Sequence, residues 1–249
     1  LFLIAGGWHA LFVGVSCLSF SGFLIAYRYL PRTGAYAPEA PPERGSFAVI
    51  RRDTVFVVFL VSGVLAQLTY VAFEIVLPVS LVDSHGISAS TWGFLVILNP
   101  AMVTFFQLRL TRRVSGISPA AKLGSAMLLM GMPFLLLSAS SAVPVVLLVI
   151  FVFVIGEMLW VPTSQSVIAT LAPADIRGAY MGAFGSTGAV GFALAPFLGL
   201  QVRDGFGDSA MWGMFAAISI VGAAAGVVAC RGARGRSLPE EIGGEPAAA

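Results

Sequence analysis

Residues 143–167 read VPVVLLVIFVFVIGEMLWVPTSQSV, and Glu157 is the one charged residue among them. No further charge follows until Asp175. About 20 apolar residues in a helix cross the ~30 Å hydrocarbon core of a bilayer, so this stretch is long enough to span one. The rest of the chain has the same character: of its 249 residues 58% are hydrophobic and 10% charged, with a mean hydropathy of +0.93. That is too little polar material to coat a water-soluble fold. Backbone groups cannot stay unpaired in hydrocarbon, so spanning segments of this kind are helices. The composition predicts an all-α integral membrane protein whose main surrounding partner is the lipid bilayer.

Apolar runs on either side of residues 143–167 bring the candidate transmembrane helices to seven: A (8–30), B (54–80), C (88–110), D (121–141), E (143–170), F (178–201) and G (209–230). A stub, Leu1–Ala5, and a Gly6-Gly7 turn precede them. Residues 31–53, PRTGAYAPEAPPERGSFAVIRRD, read as a linker with an interfacial piece before span B. A six-helix bundle then occupies 54–230, and the composition of 231–249 predicts a disordered tail. If span A ends inside, one side collects Arg28, Arg32, Arg44, Arg51, Arg52, Arg109, Arg112, Arg113, Lys122, Arg177, Arg231, Arg234 and Arg236. Of the 14 basic residues only Arg203 is left for the other side. Such a bias places the linker and the C-terminus in the cytoplasm, with the chain in the inner (cytoplasmic) membrane. The stub then ends outside, which implies a preceding helix that begins inside, so that residues 1–30 close an N-terminal half of the protein.

Polar side chains are unevenly shared among the spans. Span B carries Gln67, Tyr70 and Glu74, span C carries Asn99 and Gln107, and span E carries Glu157 and Gln165. Spans A, D and G have no Asp, Glu, Asn or Gln within their apolar runs. Helices lining a wet cavity need polar groups, whereas those touching only lipid and neighbours do not. A bland span at every third position therefore suggests a repeating three-helix unit with its third member outermost. Span F is packed with Gly and Ala, and its Gly178-xxx-Gly182 pair reads as a site of close helix packing.

Three further stretches carry a family likeness. LAPADIRGAYMG (171–182) looks like a Pro-x-x-x-Arg-Gly loop. QLRLTRRVSG (107–116) looks like a worn Gly-x-x-x-Asp-Arg-x-Gly-Arg-Arg loop, with Thr111 where the Asp would stand and Arg112 matching the Arg. ALAPFLG (193–199) echoes a Gly-Pro helix element. In these features the chain resembles the major facilitator superfamily, and within it the bacterial drug:proton antiporters with twelve helices. The resemblance implies that the stub is the end of the fifth helix and that spans A–G are the sixth to twelfth. It also implies peripheral positions for A, D and G, and an N-terminal half of the same protein as partner.

Glu157 is the principal candidate site residue. It falls near the middle of span E, where an acid costs about 2.5–3.5 kcal/mol on insertion scales, so exposure to lipid is disfavoured. Pro162 frees the carbonyl of Met158, and Gly156 loosens the preceding turn. Glu157 is either a proton-coupling or substrate-binding group, or a structural acid that is neutral or paired. Glu74 shares one face of span B with Gln67, Tyr70 and Pro78. Pro78 cannot bond the carbonyl of Glu74, so the second acid has an orphan acceptor beside it. Asn99-Pro100 marks a break in span C, read as cavity lining or as helix packing. Trp160 either stacks on an aromatic or cationic substrate or is a core tryptophan, and Gln165 is a further cavity candidate. Arg109, Arg112, Arg113 and Arg177 serve as topology anchors or, with Asp175, as a cytoplasmic gate. Cys17 and Cys230 sit in apolar runs at opposite ends and suggest neither disulfide nor metal site. No nucleophile triad or phosphate-cradling Gly-Lys-Ser/Thr loop appears, so neither an enzyme, a cofactor nor a nucleic-acid partner is expected.

Two functions compete at this level. One is a secondary transporter that uses proton coupling to export small drug-like or metabolite molecules by alternating access. The other is a seven-helix receptor or sensor, which fits the same topology. Lys122, the only lysine, lies at a loop edge, so no span can hold retinal as a Schiff base.

Overall fold

The computed structural model describes residues 2–29 and 46–234. Among the described residues there are helices and turns and no strands. Seven helical stretches are long and apolar enough to cross a membrane: Phe12–Tyr29, Thr54–Asp83, Ala89–Arg113, Pro119–Leu137, Val143–Leu171, Ala174–Phe206 and Asp208–Ala233. The chain divides into two compact units, Leu1–Pro41 and Pro42–Ala249.

The first unit holds α1 (Phe2–Tyr29). This helix runs unbroken through Gly6 and Gly7, so the turn expected there does not form. In water a Gly-Gly pair favours a turn. The stretch apolar enough to cross a membrane begins only at Phe12, and α1 continues through the two glycines ahead of it at a cost of about 1 kcal/mol each relative to Ala.

In the second unit, α2 (Ser46–Arg52), a short helix where an interfacial piece was expected, leads into α3 (Thr54–Val71). Asp53 caps α3 by accepting from the Phe56 N–H at 3.0 Å. Span B then passes through a π-helical turn, Ala72–Val76, into α4 (Leu77–His85). Span C consists of α5 (Ala89–Val96) and α6 (Leu98–Arg113), broken where Pro100 cannot donate to the carbonyl of Val96. Span D is α7 (Pro119–Gly131) followed by the short α8 (Phe134–Leu137), and span E is α9 (Val143–Leu171). A 3-10 turn, Ala174–Ile176, opens α10 (Arg177–Phe206), and α11 (Asp208–Arg234) completes the bundle. The tail therefore starts later than expected, since Arg231–Arg234 still belong to α11. Residue 30 of span A, residues 31–45 of the linker and 235–249 of the tail lie outside the described residues.

Helix α11 lies against α3 and α7, α7 against α9, and α3 against α10, while α6 touches mainly α9. The centre is aromatic: Phe73 stacks on Phe153 at 4.0 Å, and Phe134 contacts Phe153 at 6.2 Å and Trp212 at 5.3 Å. Several close helix approaches rest on glycine, two of them against backbone or Cβ atoms of the neighbouring helix. A Cβ on Gly191 would stand 2.6 Å from Gln67 Cβ, and one on Gly156 would stand 2.7 Å from the carbonyl oxygen of Ala126. The Gly178-xxx-Gly182 pair is not such a site, because nothing lies within 4 Å of a Cβ at either position. Helix α10 turns Tyr180, Phe184, Thr187 and Gly191 inward, and Gly178 and Gly182 fall on its other face.

The two ends of the bundle are tied differently. At the end where α3 and α10 begin, the Tyr180 hydroxyl donates to Asp53 Oδ2 at 3.0 Å, and its ring packs on Phe56 at 4.2 Å. At the opposite end Arg203 faces Asp83 at 3.6 Å, Asp204 at 3.8 Å and Asp208 at 4.0 Å. Ser80 there donates to Asp208 at 3.2 Å.

Candidate functional site around Glu157

The site grows from the proline in α9. Pro162 carries no N–H, so the carbonyl of Met158 loses its helical partner. Gln107 of α6 replaces it: Nε2 donates to that carbonyl at 2.9 Å and also reaches Thr111 Oγ1 at 3.2 Å. One residue earlier, Glu157 Oε2 accepts from Asn99 Nδ2 at 2.9 Å. Asn99 is presented at the start of α6, beside the break made by Pro100. The Tyr70 hydroxyl of α3 faces the same carboxyl and is within electrostatic reach of it. The Tyr70 ring leans on Phe153, one turn before Glu157, with centroids 6.1 Å apart. Spans B, C and E therefore converge on one carboxyl.

Glu74 stands beside this network on the π-helical turn, exposed and within electrostatic reach of both Glu157 and Tyr70. Single π turns inside α-helices occur frequently at functional sites, and this one directly precedes Pro78. Among the described residues no lysine or arginine forms an ion pair with Glu157 or Glu74. Two acids share a partly enclosed region with an amide and a phenol, and no described basic residue pairs with them. Like charges placed this close disfavour the ionised form of both acids.

The other candidates occupy separate places. Gln67 packs its backbone and Cβ against Gly191 of α10 and is half-buried. Trp160 is 6% exposed and stacks on Phe184 at 6.1 Å, which in turn stacks on Phe59 at 5.3 Å. It sits in the core of the unit, away from the carboxyls. Gln165 is exposed on α9, two turns beyond Glu157. Arg109, Arg112 and Arg113 are exposed on the last turns of α6, and Asp175 and Arg177 are exposed around the start of α10. No ion pair joins Asp175 to Arg177 or to these arginines among the described residues.

Two features escaped the sequence reading. Gln107 was visible as a polar residue in span C, but nothing local shows that it serves the Met158 carbonyl. The Asp53–Tyr180 bond joins residues 127 positions apart. Only its first half, an Asp directly before an apolar run, has a recognisable local signal as a helix cap.

A polytopic helical bundle with proline-broken spans converging on an intramembrane carboxyl belongs among membrane transport folds. Residues 1–196 match the model of the Major Facilitator Superfamily, and the chain belongs to that family. It is 24% identical over 191 residues to an uncharacterised MFS-type transporter, YqjV, of Bacillus subtilis (strain 168), covering 75% of this chain and 46% of that protein. It is 25% identical over 189 residues to a Na(+), Li(+), K(+)/H(+) antiporter of Planococcus maritimus, covering 70% of this chain and 45% of that protein. The chain thus spans about half the length of the curated relatives it matches. Crystal structures of a POT family transporter, one with a thioalcohol-conjugated peptide and one with 5-aminolevulinic acid, superpose with a TM-score of 0.60 at 16% identity. Each alignment covers 87% of this chain and 52% of the other, and shows the shared fold.

Proposed function

We propose that this chain is part of a secondary active transporter in which Glu157 is the titratable group that couples a proton to movement of a small molecule. The observation that carries the proposal is the arrangement at Glu157: one carboxyl held by Asn99 from α6 and faced by Tyr70 from α3, with Glu74 nearby and no lysine or arginine paired with either acid among the described residues. Loading a proton neutralises the acid and weakens its hold on a cationic or polar substrate; unloading restores it. A membrane potential supplies about 2.3 kcal/mol per charge per 100 mV, enough to drive uphill movement. The working direction is export of drug-like or metabolite molecules by alternating access, with the linker and C-terminus cytoplasmic and the protein in the inner membrane. Transport requires a second set of helices facing this bundle, in keeping with the extra length of the relatives.

A second reading replaces the organic substrate with a monovalent cation. It is favoured by the oxygen-rich set at Glu157, Glu74 and Tyr70, since hard cations take oxygen ligands, and by the Na(+), Li(+), K(+)/H(+) antiporter of Planococcus maritimus among the relatives. Everted vesicles carrying the complete transporter test both readings. Under an imposed pH gradient, proton-driven movement of a cationic dye or of sodium should be present in the wild type and lost in Glu157→Gln at equal expression. Wild-type coupling in that variant would remove Glu157 from the mechanism. Which of the two cargoes moves decides between the readings.

A further inference from the structure

On the other flank of the α6–α9 contact lies a cavity of about 530 Å³ that does not include Glu157, Asn99 or Tyr70. Successive residues on a helix point about 100° apart. Met158 therefore turns into this cavity while Glu157 turns to Tyr70. Met102 and Phe106 of α6 form one wall, and Phe151, Ile155 and Met158 of α9 form the other. Phe106 and Phe151 are 49% and 47% exposed, so the groove is open along its side. Its end is different in character: Arg109 and Arg113, one turn apart on α6, close it at the arginine-rich end of the bundle. Both arginines are exposed, and no carboxylate among the described residues pairs with either. A neighbouring cavity of about 290 Å³ shares Met158 and adds Lys122, Thr111 and Ser166 at the same end.

We propose that this groove is a binding site for an anionic membrane phospholipid, with one acyl chain along the Met102–Phe106 and Phe151–Met158 walls and the phosphate held by Arg109 and Arg113. Three observations fit this occupant. From Met102 to Arg113 the helix rises about 16 Å at 1.5 Å per residue, roughly half of the ~30 Å hydrocarbon thickness, so the groove has the depth of one leaflet. Its wall is apolar where an acyl chain would lie and doubly cationic where a headgroup would lie. Two guanidinium groups one turn apart match a phosphate geometrically, each presenting a planar fork of donors.

The test uses the 249-residue chain in phosphatidylcholine nanodiscs containing a trace of chain-labelled phosphatidylglycerol or phosphatidylcholine, with the spin label reporting immobilised lipid. Phosphatidylglycerol should be immobilised preferentially. Arg109→Gln and Arg113→Gln should each weaken that preference about fivefold, the effect of one basic side chain at an anionic surface. Ile155→Trp fills the groove without changing charge and should release the label. Arg51→Gln, at the same end but outside the groove, should leave retention unchanged. Circular dichroism and detergent melting confirm that each variant keeps its helices. Equal immobilisation of the two lipids, indifference to all three groove variants, or displacement by inorganic phosphate would each overturn the proposal.

Discussion

The hydrogen bond from Gln107 to the Met158 carbonyl makes a quantitative demand. The carbonyl lacks its helical donor because of Pro162, and Gln107 supplies the replacement at 2.9 Å. Gln107→Leu removes the donor while roughly conserving volume. An unsatisfied buried acceptor costs about 1–3 kcal/mol, while polar pairs in membrane proteins average about 0.6 and reach about 1.7 kcal/mol. The expected loss is therefore about 1 kcal/mol. Pro162→Ala restores an N–H that can bond the same carbonyl within α9. In that background Gln107→Leu should cost only a few tenths of a kcal/mol, because the acceptor no longer depends on α6. The assay is a double-mutant cycle on reversible unfolding of the chain in mixed micelles, followed by circular dichroism. A coupling of about 0.5–1 kcal/mol is predicted. Equal costs for Gln107→Leu in both backgrounds would refute the claim that this bond repairs the proline break.

Other positions give simpler expectations. Gly191→Val should destabilise the bundle by about 1–3 kcal/mol through overpacking, since its Cβ would meet Gln67 at 2.6 Å. Gly182→Ala, at an open site, should be neutral or slightly stabilising by the same melting assay. Tyr180→Phe should cost about 1.5 kcal/mol, the low end for a hydrogen bond to a charged group, and protease accessibility at the α2–α3 junction should rise with it. Orientation can be read by single-cysteine labelling in a background lacking Cys17 and Cys230. His85→Cys should react with an impermeant reagent from outside, and Tyr36→Cys should be protected; the reverse pattern would contradict a cytoplasmic linker.

How much of this was legible in the sequence depends on the range of the interaction. Spans B to G were legible because hydropathy and length are local properties, and the frame they set lies close to the observed helices. Pro162 announced an orphan carbonyl at Met158 by chain chemistry alone. Its partner was hidden, because pairing Gln107 with a residue 51 positions away requires the register of α6 against α9. Azimuth explains the remaining differences. Three residues separate Glu157 from Trp160, yet one faces Asn99 and the other faces Phe184, and no periodicity in an all-apolar helix distinguishes those directions. The same holds in α10, where glycines occur on every face and only those turned into the bundle, such as Gly191 and Gly199, mark a close approach. Gly6-Gly7 misled for a different reason: glycine is a weak breaker, and a helix extends through it at a cost of about 1 kcal/mol per residue.

The central claim is that Glu157 is a titrating group held by Asn99. It is tested most directly by carboxyl-stretch infrared difference spectroscopy on the chain in nanodiscs as pH is stepped across the neutral range. The account predicts a carboxyl band that responds to pH in the wild type, shifts in frequency in Asn99→Leu as its hydrogen bond is lost, and disappears in Glu157→Gln. A Glu157→Gln spectrum identical to that of the wild type would contradict it.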